Sequence, residues 1–303
     1  MDIIEKTAKD IKDLKIQGAT NIALTSLKVL KKDWREKKYQ EIKILKGKIE
    51  KLKLARSTEP LLFNSLDYLH SQVEELNGLN KLSQIIGNSI RRLEKVQEKI
   101  VNNGVKLIKN GMTIFTHCHS STVTGILQRA KKQGKKFQVF LGETRPLYQG
   151  RITAKELVKQ GIKVTMVVDS AASYIISKED EIPINLVFLG CDAISPKEGV
   201  FNKIGSYSLA LSACEAKIPV FVAGSLLKTF ISQVDIEKRK VKEIWERKPW
   251  NLKIINVAFD FIPYKFITGI ITEFGLVKPK EIVQLVAKNY PFIYDIDPES
   301  SSG

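Results

Sequence analysis

Along the first hundred residues apolar positions recur at helical spacing. Ile4, Ala8, Ile11 and Leu14 lie on one face, and Gln17-Gly18-Ala19-Thr20 breaks the pattern. Thr20 or Asn21 can cap a second helix through Ile22, Leu24, Leu27 and Leu30. Lys37 to Leu54 is charged and amphipathic, and Arg56-Ser-Thr-Glu-Pro60 interrupts it. Leu61–Phe63 and Leu66–Leu69 resume a helix, Leu82 to Ile108 forms another, and Asn110-Gly111 is a good stop. At Met112 the pattern changes. Thr113–Thr116, Phe137–Leu141, Lys163–Val168, Ile184–Leu189 and Val220–Ala223 read as strands, separated by helical patterns near Val123–Gln133, Ala154–Gln160, Ala171–Ser177 and Ile204–Ala216. Near-continuous apolar strands alternating with helices predict a parallel sheet covered on both faces. The expected fold is therefore α/β: a helical N-terminal domain over residues 1–110, then a Rossmann-like parallel sheet domain over 111–303 with helices on both faces. Ile254–Ala258 and Ile267–Thr272 are expected to add strands and Pro279–Lys288 a last helix. The tail Tyr294–Gly303 reads as acidic and loose.

In such a sheet, residues just past the strand ends converge on one rim, where ligands bind. Reading these ends in order gives His117-Cys118-His119, Glu143-Thr144-Arg145-Pro146, Asp169-Ser170, Gly190-Cys191-Asp192 and Gly224-Ser225. Asn202-Lys203-Ile204-Gly205 opens the helix before the last strand. Singly, each member has a plainer reading. Cys118 reads as a small core residue, Asp192 as a cap, and Arg145 with Glu143 as a surface ion pair. His117 and His119 are too sparse for a zinc site, so no metal is expected. Together they suit proton transfer beside a phosphorylated sugar. A thiol facing a helix N-terminus is expected to ionise easily, a carboxylate can share its proton, and Arg145 and Lys203 can hold phosphate oxygens. No Gly-x-Ser-x-Gly elbow or Gly-x-Gly-x-x-Gly fingerprint offers a hydrolase or dinucleotide alternative.

Composition changes this picture little. A chain of 303 residues, 43% hydrophobic, can bury a substantial core. Its net charge of +16 favours anionic partners, but the excess is mostly lysine spread along the chain, with no accompanying nucleic-acid signature, so specific nucleic-acid binding is not expected. Three unpaired-looking cysteines, no signal-peptide profile and no apolar run of about eighteen residues suggest a cytoplasmic protein away from membranes.

Thr116-His-Cys-His-Ser120, Gly142-Glu-Thr-Arg-Pro146 with Gly150, and Val168-Asp-Ser-Ala-Ala172 resemble the ribose-1,5-bisphosphate isomerase family. Gly190-Cys-Asp-Ala-Ile194, Asn202-Lys-Ile-Gly205 and Ile271-Thr-Glu-Phe-Gly275 extend the match. That family groups with methylthioribose-1-phosphate isomerases and the alpha, beta and delta regulatory subunits of translation initiation factor 2B. The resemblance implies an aldose–ketose isomerase of a sugar 1-phosphate, with Cys118 and Asp192 as its catalytic pair. Asp192 would protonate the ring oxygen or relay the proton of a sugar hydroxyl, while Cys118 moves a proton from carbon 2 to carbon 1. Gly18, Ala19, Arg56, Arg145, Asn202, Lys203 and Lys228 would bind a phosphorylated pentose. No cofactor is required, an AMP-type activator is implied by analogy, and relatives assemble as homo-oligomers, dimers or hexamers.

Two departures bear on the branch. Gln17 stands where ribose-1,5-bisphosphate isomerases usually carry arginine, and Ser57-Thr58-Glu59-Pro60 stands near their Arg-Pro-Thr. A lost guanidinium removes a bidentate phosphate contact, and Glu59 would repel an anion if it faced the site. The alternatives are a methylthioribose-1-phosphate isomerase, or a regulatory subunit that binds a sugar phosphate or nucleotide and contacts initiation factor 2.

Overall fold

Five helices precede the sheet: α1 (Ile3–Lys12), α2 (Ala19–Lys37), α3 (Ile42–Leu54), α4 (Pro60–Glu75) and α5 (Leu82–Val105). The computed structural model describes residues 1–56, 58–76, 78–177, 181–231 and 239–295. The acidic tail from residue 296 onward lies outside the described residues. Asp2 caps α1 by accepting from the Ile4 N–H, and Pro60 opens α4 where its missing N–H costs nothing. The helix expected from Lys37 divides differently: Lys37 closes α2, Lys38 turns left-handed, and α3 begins at Ile42. A buried carboxylate explains the turn. Asp33 is fully buried and takes Lys37 at 2.9 Å and Lys48 at 2.7 Å, so α3 must fold back to bring Lys48 to it.

The strands follow as β1 (Thr113–Thr116), β2 (Gln138–Gly142), β3 (Lys163–Val167), β4 (Leu186–Gly190), β5 (Ala193–Ser195), β6 (Gly199–Lys203), β7 (Val220–Ala223), β8 (Phe259–Pro263), β9 (Gly269–Thr272) and β10 (Gly275–Val277). Between and after them run α6 (Ser121–Lys132), α7 (Gln149–Lys159), α8 (Asp169–Ser177), α9 (Ser206–Glu215), α10 (Ile282–Asn289) and α11 (Phe292–Asp295). Seven strands form one sheet in the order β10-β9-β7-β4-β1-β2-β3, parallel except where β10 returns antiparallel along β9. Alternate residues feed opposite faces. Ile114, Leu186 and Phe188 pack under α5, α6 and α7, whereas Phe115, Val187 and Leu189 join α8 and α9. No helix among the described residues is long and apolar enough to cross a membrane.

Ile254–Ala258 is not a strand, contrary to expectation. The pairing segment comes later, at β8, and belongs to a small antiparallel sheet ordered β5-β6-β8. Each of its strands is short or carries polar residues, so an apolar run is a poor guide to it. This second sheet carries Asn202 and Lys203 on β6, against Asp260 and Phe259 on β8.

The helical segment is bonded to the sheet region as well as packed on it. One apolar cluster runs from Ile4 and Leu62 through Leu226 and Leu227 to Val187. Within it, the buried Asn64 on α4 donates to the carbonyls of Leu227 and Thr229, each at 2.8 Å. These bonds hold the short turn 226–228, which carries Lys228. Asn64→Leu keeps the volume but orphans two buried carbonyls, so unfolding in denaturant should show a loss of roughly 2–4 kcal/mol.

Candidate functional site

A cleft of about 340 Å³ opens where the carboxyl ends of β1 and β4 meet the start of α2 and the end of β6. Its lining contains Cys118, Asp192, Gly18, Ala19, Arg56, Asn202, Lys203 and Lys228, all singled out in the sequence, together with Lys15 and Gln149, which were not. Arg145 is not among the lining residues. Asp169 accepts the backbone N–H of Thr144 (2.8 Å) and of Arg145 (2.6 Å), which pins this loop. The Arg145 guanidinium then lies against the ring and hydroxyl of Tyr148 instead of entering the cleft. Glu143 pairs with Arg151 at 2.7 Å, not with Arg145.

Cys118 sits in left-handed backbone geometry, at φ 64, which a side chain with a Cβ adopts at some cost. Two threonines hold it there. Thr144 Oγ1 accepts the Cys118 N–H at 3.0 Å, and Thr153 Oγ1 donates to the Cys118 carbonyl at 2.9 Å. Because Thr153 spends its only proton on that carbonyl, its contact with His119 Nδ1 at 3.0 Å makes His119 the donor there. His119 Nε2 in turn points towards Glu156, 3.9 Å away. His117 is buried and donates from Nε2 to the Ile204 carbonyl at 2.9 Å. Burial pushes its pKa down, which keeps the ring neutral, and its Nδ1 has no hydrogen-bond partner among the described residues. Among the described residues no group of three or more His, Cys, Asp or Glu side chains is gathered as a metal site would require. Two glycines make room. Gly205 has φ 101 and runs against the His117 ring, and a Cβ on Gly190 would lie 2.7 Å from Ser120 Oγ.

The expected easily ionised thiol is not what the surroundings produce. Burial pushes the Cys118 thiol up to about 11. The positive charge of Lys203 pulls the other way but is outweighed, and Asp192 and Asp169 add to the rise. A hydrogen bond from the His119 N–H to the sulphur also favours the thiolate but does not offset the burial. The Cys118 thiol thus holds its proton at rest. Asp192 is anchored by its own N–H to the Phe201 carbonyl at 2.9 Å, and its carboxylate has no hydrogen-bonding partner among the described residues.

Positive charge rings the pair. Lys203 lies over the Phe259 ring at 4.7 Å. The buried Lys228 ammonium donates to the Cys191 carbonyl, one residue before Asp192. Opposite, the first turn of α2 faces the cleft with Gly18 as its N-cap and no side-chain cap, which leaves backbone N–H groups directed at the lining. The Gln17 side chain is turned back to the Leu14 carbonyl at 2.7 Å. Glu59 is buried and meets Arg56 at 3.1 Å, so it is paired instead of bare toward the cleft.

Asp260 is the site-supporting residue that sequence reading missed. It accepts from Gly205 N (2.7 Å) and Tyr207 N (3.0 Å) and so fixes the turn between β6 and α9, directly behind Lys203. Burial raises its pKa to about 6. It lies inside the segment that sequence pattern left without an element, 55 residues from the turn it holds.

A model of the initiation factor 2 subunit family matches residues 15–279. Ribose 1,5-bisphosphate isomerase of Methanocaldococcus jannaschii is 34% identical, covering 97% of both chains. Methylthioribose-1-phosphate isomerase of Fervidobacterium nodosum is 32% identical over 90% of this chain and 85% of its own. Among solved structures, the translation initiation factor eIF-2B of Pyrococcus horikoshii OT3 superposes with a TM-score of 0.79 at 27% identity, covering 91% of this chain and 97% of that one. The chain belongs to the initiation factor 2 subunit family.

Proposed function

We propose that the protein is an aldose–ketose isomerase that converts ribose 1,5-bisphosphate to ribulose 1,5-bisphosphate. The observation that carries the reading is the composition of the cleft. Cys118 and Asp192 share it with Lys15, Lys203 and Lys228 and the uncapped start of α2, while Ala19, Ile152 and Phe259 are the main apolar members of its lining. With four cations, Lys15, Arg56, Lys203 and Lys228, against two acids, Asp192 and Glu59, the lining suits two phosphates better than it suits a methylthio group. Arg145 has no contact with substrate in this reading.

Phosphate on the anomeric oxygen blocks simple ring opening, so the ring oxygen must be protonated. The pair holds one proton, at rest on Cys118. In the productive form it sits on Asp192, which leaves Cys118 as thiolate. Asp192 protonates the ring oxygen as the bond from carbon 1 to that oxygen breaks. Cys118 removes the proton from carbon 2, giving an enol that still carries the phosphate on carbon 1. The carbon 2 hydroxyl then returns a proton to Asp192 while Cys118 delivers its proton to carbon 1. Ketose forms, and the pair is restored. Lys203 and Lys228 hold phosphate and hydroxyl oxygens beside these atoms, and Lys203 stabilises the thiolate.

The methylthioribose-1-phosphate reading is favoured by one feature. Gln17 faces Leu14 and offers no guanidinium for a second phosphate. Purified protein should therefore be given ribose 1,5-bisphosphate and methylthioribose 1-phosphate separately, with ketose formation followed. Conversion of the bisphosphate, lost by at least about 1000-fold in both Cys118→Ala and Asp192→Asn, is expected. Turnover of the methylthio sugar alone would move the protein to that branch, and turnover of neither would remove the enzymatic reading.

The raised thiol pKa has a direct readout. In a Cys214→Ser background, which removes the exposed cysteine, iodoacetamide should label Cys118 with a midpoint near pH 11. At pH 8 its thiolate should be about 100-fold scarcer than that of a free cysteine. A midpoint at or below the ordinary cysteine value would refute the protonated resting state.

The threonine clamp predicts a separation of effects. Thr144→Val and Thr153→Val should each lower kcat at least about tenfold with KM changed less than about twofold, because they displace the sulphur and not the phosphates. Thr→Ser at either position should restore most of the rate.

A further inference from the structure

A second cleft, of about 460 Å³, lies along α5 away from Cys118. Asn88, Arg91, Arg92, Lys95 and Lys99 line one side of it, at spacings that place them on one stripe of the helix. The opposite wall is Glu273-Phe274 at the β9–β10 turn and Asn289-Tyr290 at the end of α10. The balance of charge is lopsided. Glu273 is the one acid among the lining residues, and its oxygens are occupied from within by Ser225 Oγ (2.8 Å), Leu226 N (3.2 Å) and Tyr290 Oη (2.7 Å). Burial also pushes its pKa up, which weakens it further as a counter-charge. Glu94 and Glu98 are on α5 but are not among the lining residues.

The cations are left in different states. Arg92 is held over the Tyr68 ring at 4.2 Å and the Tyr290 ring at 5.4 Å, and Arg91 leans on Asn88 Oδ1. Lys95 and Lys99 have no acid or acceptor among the described residues. A fixed guanidinium beside two uncommitted ammonium groups is a donor set for a small polyanion. The Phe274 ring, 40% exposed, gives the organic part of such a ligand an apolar surface.

We infer that the α5 cleft is a second binding site, for a small organic phosphate, separate from the Cys118 cleft and independent of the reaction assigned to it. Its inner wall is bonded to the catalytic side, because Glu273 grips Ser225 and Leu226 at the start of the turn that presents Lys228.

The test is calorimetric titration of the full chain with pyrophosphate, then with a pentose 5-phosphate, near 0.15 M salt. Lys95→Gln/Lys99→Gln should weaken one class of binding at least about tenfold. Lys106→Gln/Lys109→Gln removes the same charge elsewhere and should leave it intact, as should Lys203→Gln in the catalytic cleft. Pyrophosphate alone binding there would make it an inorganic anion site and overturn the organic part of the inference. Equal weakening in the Lys106→Gln/Lys109→Gln control would show bulk charge only. Loss of all binding in Lys203→Gln would place every anion in the catalytic cleft. A single-stranded RNA oligomer that binds more tightly than either probe through Lys95 and Lys99 would make the groove a nucleic-acid face. Each of these results overturns the inference.

Discussion

The candidate site depends on holding one cysteine backbone in a conformation it does not favour. Left-handed geometry at a non-glycine residue costs roughly 1–2 kcal/mol, and Cys118 recovers this through hydrogen bonds from both sides. Those bonds come from loops that other strands position. Thr144 follows β2 and is pinned by Asp169 at the end of β3, and Thr153 lies on α7. The parallel sheet thus does more than gather strand ends on a rim. It lets three successive β–α units fix a single sulphur. His119 extends that support outward by donating from Nδ1 to Thr153 Oγ1.

The second requirement is to place charge near the sulphur without ionising it at rest. Burial raises the thiol more than Lys203 lowers it. A protonated thiol beside a carboxylate is a stored proton, ready to be repartitioned when a substrate supplies basic and acidic atoms of its own. The lysines that line the cleft are themselves held by structure remote in sequence. Asn64 of the helical segment fixes the turn of Lys228, and Asp260 fixes the turn behind Lys203. The helical segment is therefore part of the site. It closes the cleft with the start of α2 and braces its floor from behind.

Much of this was legible in the chain. Six of the seven strands of the main sheet follow from apolar runs, whereas β10, three residues at Gly275–Val277, was not expected, and the rim follows from where those runs stop. Cys118 and Asp192 were picked out for that reason, and Asn202 and Lys203 because they open the next helix; all four line the same cleft. What escaped had a different physical origin. β5, β6 and β8 are short or carry polar residues, and β8 pairs with β6 some 60 residues away, so Ile254–Ala258 looked more like a strand than Phe259–Pro263 did. The direction of the thiol shift was misjudged because a helix N-terminus is visible in sequence, whereas burial is not. Arg145 was placed by its position after β2, but backbone bonds to Asp169 decide where its side chain goes. Asp33 shortened a helix from inside the fold, again through partners that no local pattern reveals.

The central claim is that a proton, not a hydride, moves between carbon 2 and carbon 1 by way of Cys118. Turnover of ribose 1,5-bisphosphate in deuterium oxide, with the ketose product analysed at carbon 1, tests it most directly. A thiol that exchanges the proton taken from carbon 2 with solvent during the lifetime of the bound enol predicts measurable deuterium at carbon 1. Product that retains the carbon 2 hydrogen completely, with no solvent deuterium at any extent of reaction, would contradict the account.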